Sequence, residues 1–265
     1  MIKLWENNIP CNDETHTTEP FMTPYMVEGS KACVIICPGG GYCFLCLDKE
    51  GAWIAEMFNK NGISAYVLNY RLAPNYHNPA MLEDVLRAVR VARREASTYG
   101  YDENKIAIMG FSAGGHLASM SLTHFDYGKD TGDETDRISS RPDMGILCYP
   151  VITMDDDYTH QGSRHNLLGE KRHDQAERDK FSSEKNIKDD TPPCFIFHTA
   201  ADKGVLPKNA MAMASALIEK NIITELHIFP FPGHGMGMGH GPDAKHAGQW
   251  VGLLLNFIRE YLIKS

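Results

Sequence analysis

No stretch of this 265-residue sequence approaches the about 18 consecutive apolar residues needed to cross a bilayer. A membrane-spanning helix is excluded, and no membrane partner is expected. The first 20 residues lack a basic segment followed by a long apolar run, so no secretory signal is read and a cytoplasmic location is expected. Positive charge is scarce: 26 Lys and Arg stand against 34 Asp and Glu, for a net charge of −8. Nucleic-acid affinity rests on clustered Lys and Arg, so no nucleic-acid partner is expected. The one basic cluster, Arg87, Arg90, Arg93 and Arg94, follows Glu83 and Asp84 at helical spacing. Acids early and bases late suit a helix dipole, and the cluster reads as a solvated helix face.

A cysteine framework is also missing. The count is seven, an odd number, and the only CxxC pair is Cys43 and Cys46, with no second pair or neighbouring His to complete a zinc site. Cys37 and Cys148 sit inside apolar strand-like runs and read as small buried hydrophobes in a reducing compartment. No metal and no cofactor are expected. There is no repeat, low-complexity tract or linker, so residues 1–265 read as a single domain. The sequence leaves room for a homo-oligomer.

What is present is alternation: short apolar runs, glycine-rich turns, then amphipathic stretches, the pattern of parallel βαβ units. Strands are expected at Ala32 to Cys37, Ser64 to Tyr70, Lys105 to Met109, Gly145 to Tyr149, Cys194 to His198 and Thr224 to Phe229. Helices are expected at about Lys49 to Asn61, from Pro79 to Gly100, up to about Thr123, from Pro207 to Asn221, and from about Pro242 to Leu262. The fold class is therefore α/β, with a mostly parallel central sheet and helices on both faces. Residues 126–142 read as a loop. Residues 151–192, rich in Asp, His and Lys, read as a cap-like insertion over the sheet edge.

The third of these strands runs into Gly110-Phe111-Ser112-Ala113-Gly114, a GxSxG turn that puts a serine at the apex of a sharp strand-to-helix bend. A serine hydroxyl is a weak nucleophile until a base takes its proton. In chain order the acid and then the base should follow. Phe231-Pro232-Gly233-His234-Gly235, directly after the last strand, makes His234 the candidate base, with His240 in the same loop as runner-up. His246 falls in the last expected helix, out of reach. His116, His124, His160 and His165 start as ordinary core or surface residues. The candidate acid is Asp202, just past the strand that ends at His198. Asp189 and Asp190 precede that strand, at the wrong edge. Asp155, Asp156 and Asp157 remain a minor alternative, better explained as a solvated loop. Donors for a developing oxyanion are expected from the N–H of Ala113 and from Gly39-Gly40-Gly41, with Gly40 and Gly41 as candidates. A phosphate-binding reading of those glycines fails for lack of GxGxxG spacing or a P-loop lysine.

These stretches, together with Asn69-Tyr70-Arg71-Leu72-Ala73-Pro74, Gly115-His116-Leu117-Ala118, Arg141-Pro142-Asp143, Tyr149-Pro150-Val151-Ile152, Thr191-Pro192-Pro193 and His198 to Asp202, span roughly residues 32 to 240. The chain resembles the α/β-hydrolase esterases related to acetyl xylan esterases and hormone-sensitive-lipase-like carboxylesterases. It departs in one place: hormone-sensitive-lipase relatives open the oxyanion loop with His, where this chain has Pro38. The resemblance implies a serine esterase that deacetylates short-chain sugar esters through an acyl-enzyme, with a small-molecule ester as partner. Two other readings stand beside it: a peptidase of the same fold, and a non-catalytic binding protein on a hydrolase scaffold.

Overall fold

The computed structural model describes residues 1–239 and 246–264. Eight strands form one sheet: β1 (Ile2–Lys3), β2 (Phe21–Tyr25), β3 (Cys33–Cys37), β4 (Ser64–Asn69), β5 (Ile106–Phe111), β6 (Met144–Cys148), β7 (Cys194–Thr199) and β8 (Thr224–Phe229). Their order across the sheet is β1-β2-β4-β3-β5-β6-β7-β8. β2 pairs antiparallel with β1 and with β4, and every other neighbouring pair is parallel. The parallel strands β3, β5 and β6 are buried along their whole length, as unbroken apolar runs require when both faces are covered.

Successive strand residues feed opposite cores because side chains alternate across a strand. Cys33, Ile35, Ile106 and Ile108 pack on one side with α2 (Ala80–Tyr99), α3 (Ala113–Thr123) and α6 (Lys208–Glu219). Val34, Ile36, Ala107 and Met109 pack on the other with α1 (Trp53–Lys60) and α7 (Trp250–Ile258). This is the α/β-hydrolase arrangement, and its parallel pairing sets the C-terminal ends of β5, β6, β7 and β8 along one edge of the sheet.

Several expectations need correction. β1 and β2 were not anticipated: one has two residues and the other carries Pro24, and both lie at the antiparallel edge. Residues 151–192 are more regular than expected, holding α4 (Gln161–Leu168) and α5 (Gln175–Phe181). The start expected near Pro242 for the last helix lies outside the described residues; the α-helical part is Trp250–Ile258.

The arginine cluster is not a solvated face. Arg87 and Arg90 are buried on α2. Arg87 makes paired bonds to Asp133, at 2.7 and 2.5 Å, and donates to the Leu4 carbonyl. Arg90 pairs with Asp126, and Arg93 reaches Asp143 at 2.9 Å. Spacing along the helix was read correctly, but the partners lie 36 to 50 residues away in sequence, where local charge patterning does not look. These arginines fasten the 126–143 segment onto α2.

A second ion pair lies deeper. The side chains of Arg71 and Asp84 are both fully buried and meet at 2.7 Å. Arg71 also donates to the carbonyls of Pro10 and Ala80 and stands over the rings of Trp5 and Tyr76. Burial pushes the Asp84 carboxyl up to about 6 even with the guanidinium against it. Removing one partner strands the other in the core. Asp84→Leu should cost about 3–5 kcal/mol in urea unfolding, with Arg71→Met plus Asp84→Leu costing less than the two singles combined. A single-variant loss of about 0–1 kcal/mol, the cost of a surface pair, would contradict this.

Candidate active site

The nucleophile candidate sits where β5 ends and α3 begins. Ser112 has φ 54° and ψ −119°, a backbone shape rarely held by a side-chain-bearing residue. The turn closes so tightly that a Cβ on Gly110 would lie 2.0 Å from the Gly114 carbonyl oxygen. Two backbone bonds hold the apex against the end of β6: Ser112 N–H to the Cys148 carbonyl, and Val151 N–H to the Ser112 carbonyl, both 3.0 Å.

The structure brings Ser112, His234 and Asp202 together. His234 Nε2 is 2.8 Å from Ser112 Oγ, and its Nδ1 is 2.6 Å from Asp202 Oδ2. This geometry assigns the proton to Nδ1, donated to the carboxylate, and leaves Nε2 to accept from the hydroxyl. Asp202 is buried, and its other oxygen accepts the N–H groups of Gly204 and Val205, each at 2.9 Å. Burial alone would raise its carboxyl, but hydrogen bonds from His198, His234 and the Val205 N–H outweigh it and hold the group well below the usual carboxylate range. His198, fully buried on β7, was absent from the sequence reading as a site residue: its Nε2 lies 3.2 Å from Asp202 Oδ2 and 2.9 Å from the Val205 carbonyl.

The loop bearing His234 is anchored behind the ring. Trp250 Nε1–H donates to the Gly237 carbonyl, the Gly237 N–H donates to Tyr149 Oη, and the Tyr149 ring meets His234 edge-on at 5.2 Å. Trp250 in turn stacks on Phe197 of β7 at 4.5 Å.

The glycine loop after β3 faces the serine. Among the described residues, the N–H groups of Gly40, Gly41 and Ala113 have no acceptor within the protein. Three side chains hold the loop from different sides: Tyr70 donates to the Pro38 carbonyl, Asn166 of α4 donates to the Gly41 carbonyl, and Glu50 accepts the Gly39 N–H. Ser112 and His234 open on a cavity of about 470 Å³ whose wall includes Gly40, Gly41, Phe44 and His160.

Other sequence candidates fall elsewhere. His240 lies outside the described residues. His246 packs its ring on Phe229. Asp189 pairs with Lys220 and Asp190 accepts from Tyr127. Asp155 pairs with Lys185, and Asp156 with Arg164 and Arg178, so this acidic run ties the 151–192 segment to itself. His116 is a core residue, bonded to Tyr42 Oη and the Phe181 carbonyl, and burial lowers it to about 4. His160, read as ordinary, caps α4 and lines the cavity. Glu50 escaped notice because an acid at the start of a helical stretch looks like routine dipole complementation.

The BD-FAE family model matches residues 21–217. The chain belongs to the BD-FAE family. Within reach of that family, it is 40% identical over 240 residues to endo-1,4-beta-xylanase B of Butyrivibrio fibrisolvens, covering 88% of this chain and 37% of the relative. It is 32% identical over 231 residues to the acetylxylan esterase of Xylanibacter ruminicola, covering 84% and 45%. The chain thus spans less than half the length of these curated relatives. Among solved structures it superposes on an acetyl ester-xyloside bifunctional hydrolase from Caldicellulosiruptor lactoaceticus with a TM-score of 0.92 and 40% identity, covering 98% of this chain and 95% of the other.

The carboxylate behind His234 fixes the tautomer of the ring, so replacing it should cost chemistry more than folding. Asp202→Asn is expected to lower kcat by about 10⁴-fold, as loss of the orienting acid does in serine hydrolases. Steady-state kinetics on an aryl acetate checks this. A loss of tenfold or less at unchanged fold would give the orienting role to another acid.

Proposed function

We propose that this BD-FAE protein is a serine carboxylic-ester hydrolase that removes short acyl groups, acetate above all, from hydroxylated small molecules of the sugar-ester class. The observation that carries the reading is the unbroken chain Asp202–His234–Ser112 opening on a cavity that also presents the Gly40 and Gly41 backbone. On this reading Ser112 Oγ attacks the acyl carbon while His234 Nε2 takes its proton. The charge that gathers on the carbonyl oxygen is met by the N–H groups of Gly40, Gly41 and Ala113. The intermediate collapses, and His234 hands its proton to the departing alcohol. Water, deprotonated by His234, then attacks the acyl-enzyme; the second adduct collapses, His234 returns the proton to Ser112 Oγ, and the acid is released. Asp202 stays ionised throughout and steadies the imidazolium.

The sugar half of the proposal draws support from the names of two similar proteins, an acetylxylan esterase and an acetyl ester-xyloside bifunctional hydrolase, and from the cavity mouth. Polar side chains from the cap-like 151–192 segment, His160 and Asn166, and the exposed ring of Phe44 border the cavity. A hydroxyl-rich leaving group suits that border better than an alkyl chain. Among the described residues no helix is long and apolar enough to cross a membrane. Free thiols at all seven cysteines support a cytoplasmic place of action.

Two outcomes follow. Ser112→Ala should remove nearly all hydrolysis and leave folding intact, with a residual rate of about 10³-fold over water from the oxyanion donors; clean variant protein with substantial turnover would sink the nucleophile. In wild type, kcat/KM should fall stepwise from acetyl to butyryl to octanoyl esters with a fixed leaving group, because each rejected methylene is worth only about 1–3 kcal/mol. An optimum at octanoyl would overturn the short-acyl claim alone. Acetate release from acetylated xylo-oligosaccharides tests the sugar half separately, and its absence beside rapid aryl acetate cleavage would count against that half.

A further inference from the structure

Glu50 stands in the wall of the same cavity as Ser112 and His234, yet the proton relay makes no use of it. Its residue is only 3% exposed. What holds the carboxylate, among the described residues, is a pair of neutral donors instead of a cation: the Gly39 N–H at 3.0 Å on Oε2 and the Tyr149 hydroxyl at 2.8 Å on Oε1. An ionised carboxylate accepts at both oxygens and donates at neither, which is what two incoming donors require. Burying such a group without a counter-charge is costly, and a core built only for stability would use an apolar side chain there.

The two donors belong to different parts of the site. Gly39 precedes the oxyanion glycines and lies between Glu50 and the nucleophile: a Cβ added there would be 2.5 Å from Glu50 Oε2 and 3.1 Å from Ser112 Cβ. Tyr149 also accepts the Gly237 N–H at 3.0 Å and sets its ring edge against His234. One hydrogen-bonded chain therefore runs from the oxyanion loop, through Glu50 and Tyr149, to the loop of the general base.

We infer that Glu50 is a positioning residue that fixes the oxyanion loop and the His234 loop relative to each other, with Tyr149 as its link. This rests on the esterase reading above. The sign of the charge sharpens it. A carboxylate beside a developing oxyanion opposes it electrostatically, so any benefit from Glu50 comes through geometry. If charge alone mattered, Glu50→Gln would speed the reaction.

The test is steady-state kinetics of Glu50→Gln, Tyr149→Phe and the double variant on an aryl acetate, with competent sites counted by fluorophosphonate titration so that misfolded protein does not enter kcat. Each single variant should lose about 10- to 100-fold in kcat per titrated site, the scale of a small misplacement of reacting groups. KM should change by less than about threefold, the mark of an interaction made in the transition state. A boronic acid that forms a tetrahedral adduct on Ser112 should bind more weakly in parallel with kcat/KM. The double variant should lose little more than the worse single, because one chain is being cut twice. The inference is overturned by kcat per site that is unchanged or faster, by a loss carried in KM, or by losses that multiply. If Glu50→Gln does not fold, Tyr149→Phe decides by the same split between kcat and KM. Wild-type turnover separates the two claims: no hydrolysis by wild type removes the esterase reading and this inference together, whereas an active wild type with unaffected variants removes only the role of Glu50.

Discussion

The site depends on one backbone constraint, the turn from Gly110 to Gly114 that lifts Ser112 out of the sheet at positive φ. That shape is costly for a residue with a side chain, and it survives because the surroundings over-determine it. β5 is paired on both sides by β3 and β6, the Ser112 N–H and carbonyl are both tied to the end of β6, and α3 closes over the turn with no room for a Cβ at Gly110. Parallel pairing then places the ends of β7 and β8 in fixed positions relative to that apex. Asp202 and His234 leave those ends within hydrogen-bond reach of each other and of the serine.

Around this turn, several buried polar groups fasten loops. Arg87, Arg90 and Arg93 hold the 126–143 segment, and Arg71 with Asp84 holds the N-terminal segment through Pro10. Glu50, Tyr70 and Asn166 do the same for the glycine loop after β3. His116 links that loop, through Tyr42, to the Phe181 carbonyl of the 151–192 segment. The 151–192 segment is therefore tied to the glycine loop at two places, Asn166 on Gly41 and Phe181 through His116, and the wall of the cavity has parts braced against one another.

The central strands were legible in the sequence because they are buried on both faces and end in glycine-rich turns. The 224–229 strand was bounded to the residue, and the GxSxG turn announced itself by its strand before and helix after. What escaped detection escaped for physical reasons. β1 and β2 are short edge strands whose partners are remote. The arginine face of α2 carries the charge pattern of an exposed helix, and only the folded chain brings Asp126, Asp133 and Asp143 to it. α4 and α5 are helices of 8 and 7 residues, polar and stabilised by packing and by ion pairs such as Arg164–Asp156, not by a long apolar stripe. His160, His198 and Glu50 gain their places at the site by fold alone, since no spacing along the chain connects them to Ser112.

The central claim is that Ser112 is the group that bears the acyl intermediate, and covalent labelling tests it most directly. A fluorophosphonate mimics the tetrahedral intermediate and stays bonded to the attacking atom. Mass mapping of the labelled protein should place one label per chain on Ser112, with ester hydrolysis lost in step with labelling. Complete inactivation with the label on another residue, or hydrolysis persisting in protein fully labelled at Ser112, would contradict the account.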